Sequence, residues 1–258
     1  MSEKPHPFDL TGHVSLVTGG NSGIGLAMAD ALAAAGASVC VWGTNAERNE
    51  AAARELEGHG GKMLAVRCDV GDEEQVEQAM ARTVETFGRL DSCFANAGIG
   101  GTGSRFVDTE LSEFRRVTRV DLDGAFLTLR AAARQMLAQG EGGSLVGTSS
   151  LAARQGQPRG QAYAASKGAL VSMIKSIAIE LARHGIRANA VLPGWVSTPL
   201  ADPMLDSESF HRKVLPRVPA GRWGEPGDFG SLAVYLASPA SAYHTADALT
   251  VDGGYVNF

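Results

Sequence analysis

A doubly wound α/β fold, with a parallel seven-stranded sheet and helices on both faces in three α/β/α layers, is predicted by three features of the 258-residue sequence. Seven short apolar runs lack the in/out alternation of a half-exposed strand, which marks each as buried on both faces. Segments of helical periodicity separate these runs along the whole chain, so successive strands are parallel and each connection crosses the sheet. A glycine cluster stands between the first strand and the first helix, where the chain must turn sharply.

The elements follow in order. The first strand is expected over residues 14–18 (VSLVT), and an alanine- and leucine-rich helix over 22–35. Residues 38–42 (SVCVW) are β-branched and aromatic enough for the second strand, and a polar helix runs on to residue 56. The third strand covers 63–68. Glu73 and Glu74 open the next helix, 73–87, with negative charge at the positive end of its dipole. The fourth strand covers 91–95, a long helical stretch 111–139, and the fifth strand 144–148. A helix over 163–183 and strands over 186–192 and 248–251 complete the pattern. No linker, repeat or low-complexity tract divides the chain, which is read as a single domain over 1–258. The irregular stretch 197–225 carries Pro199, Pro203, Pro216 and Pro219 and is expected to be a substrate lid, because long late insertions in such folds often cover the ligand crevice.

Composition narrows the partners. A net charge of -5 argues against a nucleic-acid partner, which calls for a basic face. No apolar run is long enough to span a membrane, and the polar segment 1–10 lacks the apolar stretch of a signal peptide. Cys40, Cys68 and Cys93 lie in apolar runs and are read as reduced, buried hydrophobes of a cytoplasmic protein. The six histidines show no HxxxH spacing and the cysteines no CxxC, so no metal site is expected.

Two patterns carry chemistry. Thr18-Gly19-Gly20-Asn21-Ser22-Gly23-Ile24-Gly25 links the first strand to the first helix. Its glycines let backbone approach a pyrophosphate, and the helix start offers free N–H groups and partial positive charge. Its place between strand and helix makes a phosphate turn the expected reading, with a plain tight strand–helix turn as the alternative. Farther on, Tyr163 and Lys167 stand four apart and so share one face of a helix. An ammonium beside a phenol favours the phenolate and equips it to exchange a proton at neutral pH. Ser150 ends the fifth strand, where ligands bind in this architecture, and its hydroxyl can hold the reacting oxygen.

These motifs together resemble the short-chain dehydrogenase/reductase family, in its single-domain members of about 250 residues, over residues 10–255. The resemblance implies an NAD(P)-dependent oxidoreductase moving a hydride between the nicotinamide and an alcohol/carbonyl pair on a small molecule. It makes Tyr163 the general acid/base and Lys167 the residue that activates it and binds the nicotinamide ribose, while Ser150 orients the substrate oxygen. The coenzyme would meet Gly19, Asn21, Ser22, Gly23, Ile24 and Gly25 in the turn. Asp69 and Val70 would frame the adenine, and Asn96-Ala97-Gly98 would lie against the coenzyme. Pro193, Gly194, Val196 and Thr198 would fix the nicotinamide end. Asp252-Gly253-Gly254 matches the family's C-terminal segment.

Two positions depart from the family pattern. Asp121 stands where asparagine is usual in the proton relay. It is read as a tolerated near-isostere, with a protonated buried acid or a brake on the relay as alternatives. At the end of the second strand, Gly43-Thr44-Asn45 offers no carboxylate to exclude a 2′-phosphate. Thr44 and Asn45 are assigned to the adenosine ribose, and NAD or NADP stays open with a lean to NADP. On the substrate side stand Arg154 and Gln155, able to grip an anion, and Trp195, a candidate apolar wall. Polar or anionic substrates of sugar-acid or oxoacyl type are preferred, with steroids and aromatic alcohols as alternatives. A catalytically impaired nucleotide sensor on the same fold is the alternative, and a lyase or dehalogenase the third reading, disfavoured by the small residues of the glycine turn. The 111–139 and 163–183 helices carry small or apolar residues on more than one face (Ala125, Ala131, Ala132, Ala133, Ala169, Met173, Ile177 and Ala178), which calls for further packing partners. The family resemblance implies symmetric dimers and tetramers built on these helices, so a homotetramer is expected.

Overall fold

A computed structural model describes residues 6–258, so residues 1–5 of the polar N-terminal segment lie outside the described residues. The strands are β1 (Val14–Thr18), β2 (Ser38–Gly43), β3 (Met63–Arg67), β4 (Ser92–Ala95), β5 (Gly143–Thr148), β6 (Ile186–Pro193) and β7 (Ala248–Val251). They form one parallel sheet in the order β3-β2-β1-β4-β5-β6-β7. The direction of winding reverses between β1 and β4, which opens a crevice at their carboxyl ends. The helices are α1 (Gly23–Ala34), α2 (Ala46–Leu56), α3 (Glu73–Phe87), α4 (Leu111–Thr118), α5 (Gly124–Gln139), α6 (Gln161–Leu181), α7 (Asp202–Leu205), α8 (Glu208–Val214) and α9 (Gly230–Ala237).

Successive strand residues feed two separate cores. Leu16, Cys40, Cys93 and Leu145 face α3, α5 and α6. Their neighbours Val17, Val41, Phe94 and Val146 face α1, α2 and α9. Both sets are apolar because both faces of the sheet are covered, and burying a side chain the size of Phe94 contributes about 1.5–3 kcal/mol. Continuous burial holds for the inner strands. The edge strands β3 and β7 are only half-buried, since each has a neighbour on one side alone.

The helix expected over 111–139 is three pieces. A π-helical turn, Arg119–Asp123, joins α4 to α5 and widens the helix where Asp121 enters the interior. Gly140, at φ 73°, ends α5. The stretch 197–225 contains the short helices α7 and α8, which its prolines hide from a periodicity reading. Its ends are pinned together: Ser197 N donates to Gly224 O (2.9 Å) and Gly224 N to Trp195 O (2.8 Å). Among the described residues, no helix is long and apolar enough to cross a membrane.

Candidate active site

At the reversal point, Thr18 fastens two turns together. Its hydroxyl oxygen accepts the N–H groups of Asn96 and Ala97 (both 3.0 Å), and Asn96 Nδ2 donates to its carbonyl (3.1 Å). Gly19 sits at φ 63°, and a Cβ on Gly25 would lie 2.3 Å from the Gly19 carbonyl, so the turn closes only on glycine there. The start of α1 is bare. Ser22 makes no side-chain cap, and the first turn holds no carboxylate. The free N–H groups of the helix start, the absence of competing negative charge and the glycine-built turn fit a pyrophosphate. Ile24 is half-buried against the second core and sets the helix on the sheet. Thr198 lies beside Gly23, whose Cβ would stand 3.2 Å from the threonine methyl. Gly194 packs on Asp252, and its N–H reaches Val251 O at 2.9 Å, so the Pro193–Gly194 corner rests on the C-terminal segment. Val196 is buried and bridges to Gly224.

Beyond the glycine turn, Gly43 makes room for an amide ladder that sequence reasoning missed. Asn21 Nδ2 donates to Asn49 Oδ1 (2.7 Å), and Asn49 Nδ2 donates to the carbonyls of Gly43 (2.9 Å) and Val66 (3.2 Å). Asn49 is buried, on a helix that reads as polar throughout. Thr44 and Asn45 are exposed at the start of α2, and the Asn45 side chain is committed to the N–H of Arg48 as the helix cap. Asp69 pairs with Arg119 from the π turn (2.9 Å), and Val70 packs against Gly124. The pairing of Arg119 has no signal in the sequence.

The ends of β4 and β5, the π turn and α6 converge on Lys167. Its Nζ donates to Thr148 O (3.0 Å), lies 3.5 Å from Asp121 Oδ2, and stands 5.5 Å from the centre of the Tyr163 ring. Lys167 is 3% exposed, and Ser149 Oγ anchors its backbone carbonyl (2.8 Å). Asp121 Oδ1 accepts the N–H of Ile99 (2.8 Å), just past Gly98. Burial pushes the Asp121 carboxyl above the usual carboxylate range, opposed first by the charge of Lys167 and then by the Ile99 N–H. Ser150 ends the strand connection with an extended backbone, and its oxygen accepts the N–H of Ala152 (3.1 Å). Tyr163 is half-buried, and among the described residues its hydroxyl has no hydrogen-bond partner. A phenol beside a buried cation, on the helix that follows the carboxyl end of β5, can pass a proton to or from a ligand oxygen.

The substrate-side expectations divide. Arg154 is exposed and spends one of its N–H donors on Ala248 O (3.1 Å) at the start of edge strand β7. Gln155 is half-buried beyond the Leu151–Ala153 turn. Trp195 packs with Leu151, which directly follows Ser150. Its ring meets Phe210 edge-on at 4.9 Å and Tyr255 at 6.4 Å. Trp223 lies against Phe210 at 6.1 Å. The indole N–H of Trp195 is buried with no partner among the described residues. This aromatic cluster draws on three distant segments, so no local pattern reveals it. Among the described residues, no cluster of three or more His, Cys, Asp or Glu side chains is placed to hold a metal.

A family profile described as enoyl-(acyl carrier protein) reductase matches residues 19–256. The chain is 39% identical over 250 residues to an L-rhamnose 1-dehydrogenase (NAD(P)(+)) of a Sphingomonas species, covering 96% of this chain and 98% of the relative. A short-chain type dehydrogenase/reductase from Mycobacterium marinum superposes with a TM-score of 0.92 at 39% identity, covering 96% of this chain and 97% of that one. A gluconate 5-dehydrogenase from Burkholderia cenocepacia, solved in complex with NADP and tartrate, superposes with a TM-score of 0.93 at 34% identity, covering 98% of each chain.

Proposed function

Because the chain belongs to the short-chain dehydrogenase/reductase family, we propose that it interconverts a secondary alcohol and a ketone on a small, hydroxylated, sugar-like substrate. It is an NAD(P)-dependent oxidoreductase acting on CH–OH groups. The observation that carries the assignment of its chemistry is the buried Lys167 ammonium 5.5 Å from the Tyr163 ring, at the carboxyl edge of the sheet.

The nicotinamide coenzyme, when bound, supplies the hydride acceptor or donor. Gly19, Asn21, Ser22, Gly23, Ile24 and Gly25 would hold its pyrophosphate end, and Asp69, Val70, Thr44 and Asn45 would hold its adenosine end. Asn96, Ala97, Gly98, Pro193, Gly194, Val196 and Thr198 line the rest. In the oxidation direction the substrate carbon gives up a hydride, and its hydroxyl proton passes to the Tyr163 oxygen. In reduction the Tyr163 proton moves to the carbonyl oxygen. Lys167 stabilises the phenolate, and Ser150 holds the reacting oxygen in line with Tyr163.

The missing carboxylate at Gly43 favours NADP, and the gluconate 5-dehydrogenase complex with NADP supports that choice. The segment 197–225, closed at its neck, acts as the substrate lid and brings Phe210 and Trp223 over Trp195. The aromatic cluster around Trp195 offers the substrate an apolar wall, and Arg154, with N–H donors left beyond its bond to Ala248 O, remains the candidate grip for an anionic or hydroxylated group. The rhamnose and gluconate enzymes among the relatives support a sugar-type substrate. No observation favours the impaired sensor. Free, buried Cys40, Cys68 and Cys93 support a reducing compartment, the cytoplasm. The assembly is a homotetramer, supported by exposed Phe114, Phe126 and Ile179 on α4, α5 and α6.

The test is a screen of sugars, polyols and their ketones with both coenzymes, following absorbance of the reduced nicotinamide. Substrate-dependent turnover, faster with NADP, is expected. A silent screen contradicts the substrate class, and a tenfold preference for NAD contradicts the coenzyme choice.

A further inference from the structure

We propose that Asp121 is a positioning residue that shares the Lys167 charge with Tyr163 and so sets the pH range in which the Tyr163–Lys167 pair works. The inference rests on the oxidoreductase reading above and adds to it a carboxylate with its own role.

The geometry is that of a closed polar pocket. Asp121 is fully buried, and its Oδ2, 3.5 Å from Lys167 Nζ, has no hydrogen-bond partner among the described residues. Gly98 lets the two groups meet over the β4 turn. A Cβ there would stand 3.2 Å from Lys167 Nζ and 3.3 Å from Asp121 Oδ2. An asparagine in the same rotamer, with Oδ1 still on the Ile99 N–H, would aim amide hydrogens at the ammonium. Aspartate aims a charge, so the two residues differ here in electrostatics and hardly in shape.

Few other charges face the pair. From α4, Arg116 also acts on Asp121 but is itself tied to Glu113 and to Gly100 O. In the π turn, Arg119 is turned to Asp69 and Asp123 is exposed. On α5, Arg130 and Arg134 pair with Glu73 and Glu77 of α3. The loop after β4 presents the Ile99 backbone N–H. On α6, Lys167 is the cation within reach, and Tyr163 is the other titratable group beside it. While Asp121 is ionised, part of the Lys167 field terminates on the carboxylate. When Asp121 takes up a proton, at a pH above the usual carboxylate range, that field falls on Tyr163 alone.

The test compares wild type with Asp121→Asn in two ways. In the pH profile of kcat/KM for alcohol oxidation, the rising limb of Asp121→Asn is expected to move to lower pH by about half a unit or more, with KM little changed. On the acid side this is a gain of about threefold. In infrared difference spectra of wild type minus Asp121→Asn, a carboxylate band is expected at neutral pH, giving way to a protonated-acid band on acidification. Asp121→Ala removes the same charge and is expected to move the limb in the same direction, which guards against a folding defect particular to one variant. Superimposable profiles, a shift to higher pH, or a protonated acid throughout the neutral range would each overturn the proposal. If no alcohol or carbonyl reacts with either coenzyme, the oxidoreductase reading fails, while the infrared titration still decides whether the ion pair exists.

Discussion

One added methyl group at Gly43 would land 2.3 Å from Asn21 Nδ2 and 2.6 Å from Asn49 Oδ1. Gly43→Ala is therefore expected to break the amide ladder beneath the glycine turn, leaving a buried acceptor unpaired at a cost of about 1–3 kcal/mol. Titration with NADP should show roughly tenfold weaker binding, the equivalent of about 1.4 kcal/mol. Unchanged affinity would remove Asn21 from the coenzyme site. The placement of Tyr163 beside Lys167 and of Ser150 at the end of β5 is legible in the sequence because it depends on spacing along one helix and on the end of one strand. Asn49 is not legible, because nothing in a run of glutamates, alanines and arginines tells which polar side chain is turned inward. The bond that Arg154 makes is hidden for the complementary reason. The proximity of Arg154 to Ser150 along the chain says nothing of the Ala248 carbonyl that holds it, 94 residues away.

The strands and the long helices follow from hydrophobic period alone, while the lid and the π turn do not. A π turn adds a residue to one helical turn without changing composition, and the lid helices are four and seven residues long, too short to show a period. The segment 197–225, proposed as the substrate lid, is held at its base by Asp228, which pairs with Arg222 (2.8 Å) and accepts the N–H of Glu225 (2.8 Å). Arg222 first, and then that N–H, hold the Asp228 carboxyl down at about 2 from its ordinary 3.8. Its contribution to folding is complete above 3.8 and is lost as the pH falls through about 2. At neutral pH, Asp228→Asn removes the charge pair. Because Arg222 is more than half exposed, the loss is modest, about 0.5–1 kcal/mol, and amide exchange over residues 222–228 should quicken about two- to fivefold. Uniform exchange in wild type and variant would mean that the lid base is held by its backbone bonds alone.

At the scale of the molecule, the apolar residues of α5 and α6 have to be sorted by face. Of the residues expected to need further partners, Ala125, Ala131, Ala132 and Ala178 are buried in the chain's own core, where small side chains let the helices lie close to the sheet, while Ala133, Met173 and Ile177 are partly buried against it and Ala169 is exposed. On α4, α5 and α6 the exposed large apolar side chains among the described residues are Leu111, Phe114, Phe126, Leu137 and Ile179. The proposed tetramer buries them, so sedimentation should give the mass of four chains, and a stable 26.9 kDa species would contradict it. The rest of the account depends on a proton passing through one phenol while a coenzyme is held beside it. The decisive measurement is turnover of Tyr163→Phe with the best substrate of the screen, alongside its affinity for NADP. Loss of turnover by about 10²–10⁴-fold, with coenzyme affinity kept, is the predicted result. Turnover within a few-fold of wild type would contradict the proton-transfer role of Tyr163 and, with it, the mechanism.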